Sequence, residues 1–430
     1  MPLRRLTRRH FVQSVTSASL AAPTIWTRRA VGKEISSAND RINLALIGNG
    51  MMGRGHLNRF LQFGDVQLVA VCELEPERRA TGQQRVETHY SQNRKGAYRG
   101  CDVFSDFREV LARDDIDAVV IATPDHWHAI PCIQAAKAKK DIYCEKPLTL
   151  TIGEGRKIVD AVKTNKVVFQ TGSQQRSEFN NRFRLAVELV RNGRIGEIQT
   201  VRVNVGGPAI ACDLPEEELP PGLDWNAWIG PAAFRGYNQI LCPQGVHKHF
   251  PAFRRYREFA SGPLGDMGAH HFDIAQWALN MDRSGPVKIE PPDDNARSGL
   301  KFTYANGIEM HHGGSADCTL EGTEGTIHVS RGSLKSAPEK IVQEPLGTDA
   351  WTAYPSSNHA RNWIDCIRSR EETICPAEIG QRSAAICHLA NIGYWLRRPL
   401  EWDPETEQFV NDEEADQWLL REPRSPWSYD

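Results

Sequence analysis

The residues with the plainest chemical meaning are a spaced set of glycines, Gly48-Asn49-Gly50-Met51-Met52-Gly53. Gly48 suits a tight turn, Gly50 lets the main chain approach a pyrophosphate, and Gly53 allows a helix to pack close on the preceding strand. The phosphates would rest on the N–H groups of that helix's first turn. Such a spacing carries weight only in the right context. Ile42, Leu44, Ala45, Leu46 and Ile47 supply it, as a short apolar run suited to a parallel strand covered on both faces. A second run, Val66 to Cys72, closes on Glu73. A carboxylate there accepts hydrogen bonds from ribose hydroxyls and repels a 2′-phosphate, which favours NAD; Arg78 and Arg79 keep NADP as the second candidate.

The elements that must position these residues alternate strand with helix from Arg41 onward, the pattern of a doubly wound parallel sheet. Asp117 to Ala122 is the next buried strand, and Thr123-Pro124-Asp125-His126-Trp127-His128 follows at its carboxyl end, where ligands of such sheets bind. A helix from Ala129 to Lys139 leads to the strand Asp141 to Cys144 and then Glu145-Lys146-Pro147, where the proline ends the strand. A helix from Thr151 to Asn165 and the strand Val167 to Gln170 complete this sheet.

Beyond Gly172 the texture changes. Ile198 to Val205 alternates in polarity, as an antiparallel sheet with one exposed face requires. A long stretch from Gly206 to Gly262 is rich in Pro, Gly and aromatics, and Trp225, Trp228, Phe250 and Tyr256 argue that it is ordered. Phe272 to Leu279, Asn358 to Ile367 and Arg382 to Leu396 read as helices, Lys301 to His312 and Gly325 to Ser330 as strands. The expected fold class is α/β: a Rossmann domain over 39–172 and, over 173–430, a C-terminal α/β domain with a large, mostly antiparallel open sheet.

With 52 basic and 54 acidic residues the net charge is -2, so nucleic acid is not an expected partner. Ten cysteines lie without CxxC or ligand spacing, and neither a metal site nor a disulfide framework is expected. At the N-terminus, Thr7-Arg8-Arg9-His10-Phe11-Val12 precedes a mild apolar segment without acidic residues. It resembles a twin-arginine export signal. Residues 1–38 are therefore read as signal and linker, the export machinery as a partner, and the periplasm as destination.

GNGMMG, the TPDHWH loop, Glu145-Lys146-Pro147 and Gly265-Asp266-Met267-Gly268-Ala269-His270-His271-Phe272-Asp273 occur in the order seen in the Gfo/Idh/MocA-type oxidoreductases, the glucose-fructose oxidoreductase and inositol dehydrogenase group, which the chain resembles nearly throughout. The resemblance implies hydride transfer to or from a hydroxyl of a sugar, cyclitol or other polyol, and a homo-oligomer, dimer or tetramer. By motif, Lys146 matches the family's lysine between nicotinamide and substrate hydroxyl, and Asp266 with His270 its DxxxH pair. The chemistry agrees: a histidine can take the hydroxyl proton, an ammonium can stabilise the developing alkoxide, and an acid four residues earlier can hold the imidazole's tautomer. His270 is thus assigned as base, Asp266 as orienter and Lys146 as electrostatic stabiliser, with His271 the alternative base. The cofactor is expected to touch Gly48, Asn49, Gly50, Met51, Met52, Gly53, Glu73, Thr123, Pro124, His128, Glu145, Lys146 and Gln175. The substrate is expected at Trp127, Arg176, His247, Lys248, Tyr256 and His271. His247 and His249 also form an HxH pair, but no carboxylate accompanies them in sequence. A glycosidase using bound NAD for transient ring oxidation, and a non-catalytic nucleotide or sugar-binding relative, are the rival readings.

Overall fold

The computed structural model describes residues 40–94 and 97–430. The expected export signal and linker lie outside them. β1 (Ile42–Ile47), β2 (Val66–Cys72), β3 (Asp102–Phe104), β4 (Ala118–Ile121), β5 (Asp141–Cys144) and β6 (Phe169–Thr171) form one parallel sheet in the order β3-β2-β1-β4-β5-β6. That order reverses between β1 and β4, where doubly wound sheets open a crevice. The β-branched and apolar runs of β2, β4 and β5 are buried along their whole length because helices cover both faces. These are α1 (Met51–Phe60), α2 (Pro76–Arg94), α3 (Phe107–Leu111), α4 (Ala129–Lys137) and α5 (Ile152–Asn165). α5 starts where the sequence says it must: Thr151 accepts from the Glu154 N–H and Glu154 returns a bond to the Thr151 N–H, a capping box.

The second sheet has nine strands: β7 (Ile198–Val203), β8 (Lys288–Glu290), β9 (Lys301–Thr303), β10 (Glu309–His312), β11 (Cys318–Gly322), β12 (Gly325–Ser330), β13 (Ser333–Ala337), β14 (Leu400–Asp403) and β15 (Gln408–Phe409). Their order is β13-β12-β11-β7-β10-β9-β8-β14-β15, with β7 and β10 parallel and the other pairs antiparallel. One face, with Val201, Val203, Phe302, Met310 and Leu320, packs on α6 (Arg182–Arg191), α8 (Gly262–Ala278) and α11 (Ala377–Leu396). The other carries ion pairs such as Arg202 with Glu321 and Lys301 with Glu309. The expected single strand over 301–312 is a hairpin, turned at Gly307, whose φ of 85° suits glycine.

The C-terminal chain returns to the first core. On α10 (His359–Ser369), Trp363 packs edge-on against Phe60 and Tyr143, with ring centroids 5.6 Å apart in each case. The 206–262 stretch is ordered by its own aromatic cluster around α7 (Trp225–Ile229): Trp225 and Trp228 stack at 4.6 Å, joined by Tyr237, Phe253, Tyr256 and Phe259. Two short helices, α9 (Lys340–Gln343) and α12 (Glu413–Asp416), complete the fold.

The longest departure from expectation is α8. It begins at Gly262 rather than near Phe272, so Asp266 lies inside the helix. Three glycines, 262, 265 and 268, mask the segment as a poor helix former. They are required by contact. A Cβ on Gly268 would sit 2.8 Å from Cys387 Sγ, and one on Gly265 2.1 Å from Ser261 Cβ. Close approach of α8 to α11 outweighs intrinsic propensity here.

Candidate active site

A cleft of about 580 Å³ opens at the carboxyl ends of β1, β2, β4 and β5. Gly48, Gly50, Met51, Met52, Glu73, Thr123, Pro124, Glu145 and Lys146 all line it, as do Trp127 and His247. A Cβ built on Gly50 meets nothing within 4 Å, and the N-terminus of α1 has no side-chain cap. Open space facing uncapped N–H groups is the cradle a pyrophosphate needs. Glu73 accepts from the Asn49 N–H at 2.8 Å through Oε2 and from the Glu75 N–H at 3.0 Å through Oε1, which fixes its carboxylate at the cleft edge. These residues fit NAD.

Four of the expected cofactor contacts act beneath the surface instead. Asn49 is buried and donates through Nδ2 to the Arg78 carbonyl at 2.7 Å, stapling the glycine turn to α2. Gly53 lies against Gly48, whose oxygen a Cβ would approach to 1.9 Å. His128 is buried with its ring nitrogens facing the carbonyls of Pro147 and Thr123, at 2.7 and 2.9 Å, so it ties the TPDHWH loop to the EKP turn. Gln175 is buried, donating to the His270 carbonyl and accepting from Arg331. A motif shows that a residue is needed; it does not show which way the side chain faces.

The expected substrate contacts are corrected more sharply. Arg176 is 1% exposed, locked to Asp273 and Asp282 by bonds of 2.7–3.1 Å and set over the Trp277 ring. It is an internal tie between its own turn, α8 and the segment after α8. Arg176→Ala should destabilise the protein by about 3–5 kcal/mol, because Asp273 would remain buried without its partner. A melting temperature equal to the parent's would contradict this role. Tyr256 is buried in the 206–262 cluster, and Lys248 is exposed and not among the residues that line the cleft. His247 faces the cleft but is engaged: its Nδ1 donates to the His249 carbonyl and its Nε2 accepts from Arg78 at 3.1 Å. Arg54 bonds the His247 carbonyl, and Arg78 also donates to Pro243 O and Cys242 Sγ. Together these bonds pin the 242–247 wall to the helices that follow β1 and β2. Trp127 presents an edge while its indole N–H donates to Trp228 O at 2.9 Å.

At the other end of the cleft Lys146 Nζ donates to Asp266 Oδ1 and to the Asp266 carbonyl, both at 2.7 Å. An ammonium has three N–H groups. The third is free of protein partners among the described residues. Burial pushes the Asp266 carboxyl upward, but the Lys146 and Arg254 charges outweigh it and hold it at about 2. The expected Asp266–His270 bond is absent among the described contacts. Side chains on a helix lean toward its N-terminus, and a full ammonium charge is a stronger partner than a neutral imidazole. His270 is buried, with Nδ1 lacking a hydrogen-bond partner, and burial together with the Lys146 charge lowers its pKa well below the ordinary value. His271 donates from Nδ1 to the Asn204 carbonyl at 3.0 Å, leaving Nε2 3.6 Å from Asp317. Glu145 is held at about 2, since His56 at 2.7 Å, Lys146 and Gln174 outweigh its burial.

Three further residues of the cleft are not among the expected contacts. Asp125 is buried in the wall. Arg254 reaches Asp266 Oδ1 at 3.5 Å. Trp427 packs against Trp127 at 4.7 Å. The TPDHWH loop was a usable signal for Asp125; nothing local marks a tryptophan near the end of the chain.

Residues 42–173 match the NAD-binding Rossmann fold of the Gfo/Idh/MocA oxidoreductase family, and residues 209–429 match that family's C-terminal alpha/beta domain. The chain belongs to the Gfo/Idh/MocA oxidoreductase family, and its Rossmann domain binds NAD. Among curated relatives it is similar to a "Glycosyl hydrolase family 109 protein" of Shewanella sp. (strain W3-18-1), 32% identical over 192 residues, 44% of this chain and 40% of the relative. A protein of the same description from Shewanella pealeana is 30% identical over 214 residues, 45% and 44% of the two chains. The chain thus spans less than half the length of these relatives. Among solved structures, the WlbA dehydrogenase from Bordetella pertussis in complex with NADH and UDP-GlcNAcA has a TM-score of 0.58 at 19% identity, covering 84% of this chain and 99% of that one. The aldose-aldose oxidoreductase from Caulobacter crescentus complexed with glycerol has a TM-score of 0.57 at 18% identity, with the same coverage. At these identities the likeness is one of fold.

Proposed function

We propose that this chain is an NAD-dependent oxidoreductase acting on a secondary hydroxyl of a sugar, cyclitol or glycoside, and that it holds its cofactor through many turnovers. The observation that carries the reading is Lys146: an ammonium fixed by two bonds to Asp266, with its third N–H unassigned, on the wall of the cleft that holds the glycine turn and Glu73. NAD bound along that turn supplies the two-electron acceptor. The third Lys146 N–H binds the substrate oxygen and stabilises it as its proton leaves. Asp266 aims the ammonium. His270 takes the proton, and its lowered pKa keeps it neutral and receptive at physiological pH.

His270→Ala is expected to slow turnover and to remove the acidic limb of the pH–rate profile. In the parent that limb lies below 6.5, the ordinary histidine value, since activity falls as pH drops through the lowered pKa and the imidazole becomes charged. His271→Ala should be milder. If the two variants rank in reverse, His271, whose tautomer the Asn204 carbonyl sets, is the base.

Residues 1–38 are proposed as a twin-arginine signal that delivers the folded, loaded protein to the periplasm. A loaded enzyme separated from free NAD must return each pair of electrons to a second substrate or to the same ring. The pinned wall at 242–247 supports slow release, because cofactor contacts open only when such segments move. Nucleotide released by denaturing the purified protein should be NAD by mass spectrometry, and activity should need no added NAD. Ready loss on dialysis, with activity strictly proportional to added NAD, would overturn retention.

The similarity to proteins described as glycosyl hydrolases favours a second reading, transient oxidation of a ring carbon that eases loss of the glycosidic substituent. Net redox separates the two. A hydrolase would release a sugar with no lasting change in cofactor absorbance.

A further inference from the structure

Arg254 lies at the cleft wall with its guanidinium only partly engaged. Its guanidinium lies over the rings of Phe250 and Phe253, at 4.6 and 5.2 Å from their centroids. Its Nε approaches Asp266 Oδ1 at 3.5 Å. Its two terminal nitrogens have no hydrogen-bond partner among the described residues. Arg254, Phe250 and Phe253 all line the cleft, and Phe250 is 51% exposed. A planar fork stacked on two rings loses little freedom when it binds, and its two outer N–H pairs match the two oxygens of a carboxylate.

The neighbouring charges point the same way. Lys146 and Arg254 are two cations that share one carboxylate, Asp266. Of the other acids in the cleft, Asp125 is pushed toward its neutral form by burial, and Glu145 faces His56 at 2.7 Å. Lys146 Nζ and Arg254 Nε both reach the same Asp266 oxygen, at 2.7 and 3.5 Å, so they are no farther apart than the sum of those distances. A single six-membered ring can present a hydroxyl to one and a carboxylate to the other.

Resting on the sugar-oxidoreductase reading, we propose that the substrate is an acidic sugar of the hexuronate type, its carboxylate paired with the free edge of Arg254 while its reacting hydroxyl meets Lys146. Arg254 is the specificity-determining residue, and the exposed Phe250 ring backs its guanidinium at the cleft wall.

The test uses the full-length protein loaded with NAD and two matched sets, D-glucose, D-glucuronate and D-glucose 6-phosphate, and D-galactose with D-galacturonate. Binding is followed by calorimetry and reaction by NADH absorbance. The parent should bind a hexuronate roughly tenfold or more tighter than its hexose, the scale of hydrogen bonds to a charged partner. R254M should bring that ratio close to one. R254K, which keeps the charge but not the fork, should fall between, and it carries the test if R254M does not fold. A hexose or the sugar phosphate bound best, or a ratio unchanged in the Arg254 variants, overturns the acidic-sugar proposal and leaves the oxidoreductase reading intact. If no sugar of either set binds or reacts, the sugar-oxidoreductase reading falls and the proposal falls with it.

Discussion

Lys146→Met is expected to reduce turnover about 10³-fold while NAD remains bound, in line with the loss of one preorganised donor to a developing oxyanion. Methionine keeps the length and apolar stem of the side chain but removes all three N–H groups. Two of them hold Asp266 at 2.7 Å and the third is the one available to substrate. Because the substitution leaves the glycine turn and Glu73 unchanged, nucleotide content should match the parent's when measured by mass spectrometry after denaturation. The discriminating result is the pairing of intact cofactor with lost turnover. A variant within tenfold of the parent would take Lys146 out of the reaction, and a variant without nucleotide would show that its first duty is to the cofactor.

The second large effect separates two glycines three residues apart. Gly50→Val should abolish NAD binding and leave the melting temperature nearly unchanged. Gly50 has φ of -70°, which any residue adopts, and a Cβ there enters open space reserved for the nucleotide. Gly53→Ala should do the reverse in kind, lowering stability by about 3 kcal/mol or more through overpacking. Its Cβ would lie 1.9 Å from the Gly48 oxygen and 2.9 Å from the Gly48 carbonyl carbon, backbone atoms that cannot swing aside. Gly48 itself is held at φ of 91°. Differential scanning calorimetry together with NAD titration decides the matter. Undiminished NAD affinity in Gly50→Val would move the phosphate site elsewhere; an unperturbed Gly53→Ala would mean that α1 does not pack on β1 as described.

What the sequence by itself determined is the Rossmann half. Its strands are continuous apolar runs, its turn is written in glycines, and its capping box lies within four residues, from Thr151 to Glu154. Local patterns of this kind specify local geometry, so a parallel sheet of strands alternating with helices could be anticipated. That this domain binds NAD was legible for the same reason. The family resemblance also marked Asp266 and His270 as candidate site residues, though not their partners.

Only the tertiary structure decided where side chains point and which neighbours they meet. Arg176 follows the last Rossmann strand, where a substrate contact is reasonable, yet two carboxylates from Asp273 and Asp282 claim it. Asp266 has His270 on its own helical face, yet Lys146, 120 residues away in sequence, takes its carboxylate. α8 was hidden because its glycines are poor helix formers, and the contact that requires Gly268, with Cys387 on α11, is one that no window along the chain contains. Arg254 sits twelve residues before Asp266 in a single 3-10 turn, Ala252–Arg255, and only folding sets it over Phe250 and Phe253 at the cleft wall. Charge pairing and close packing act across space, and their strength falls with distance through the fold rather than along the chain. A sequence therefore declares its periodic elements and its turns, while the assignment of each ionised group to its partner waits on the three-dimensional arrangement.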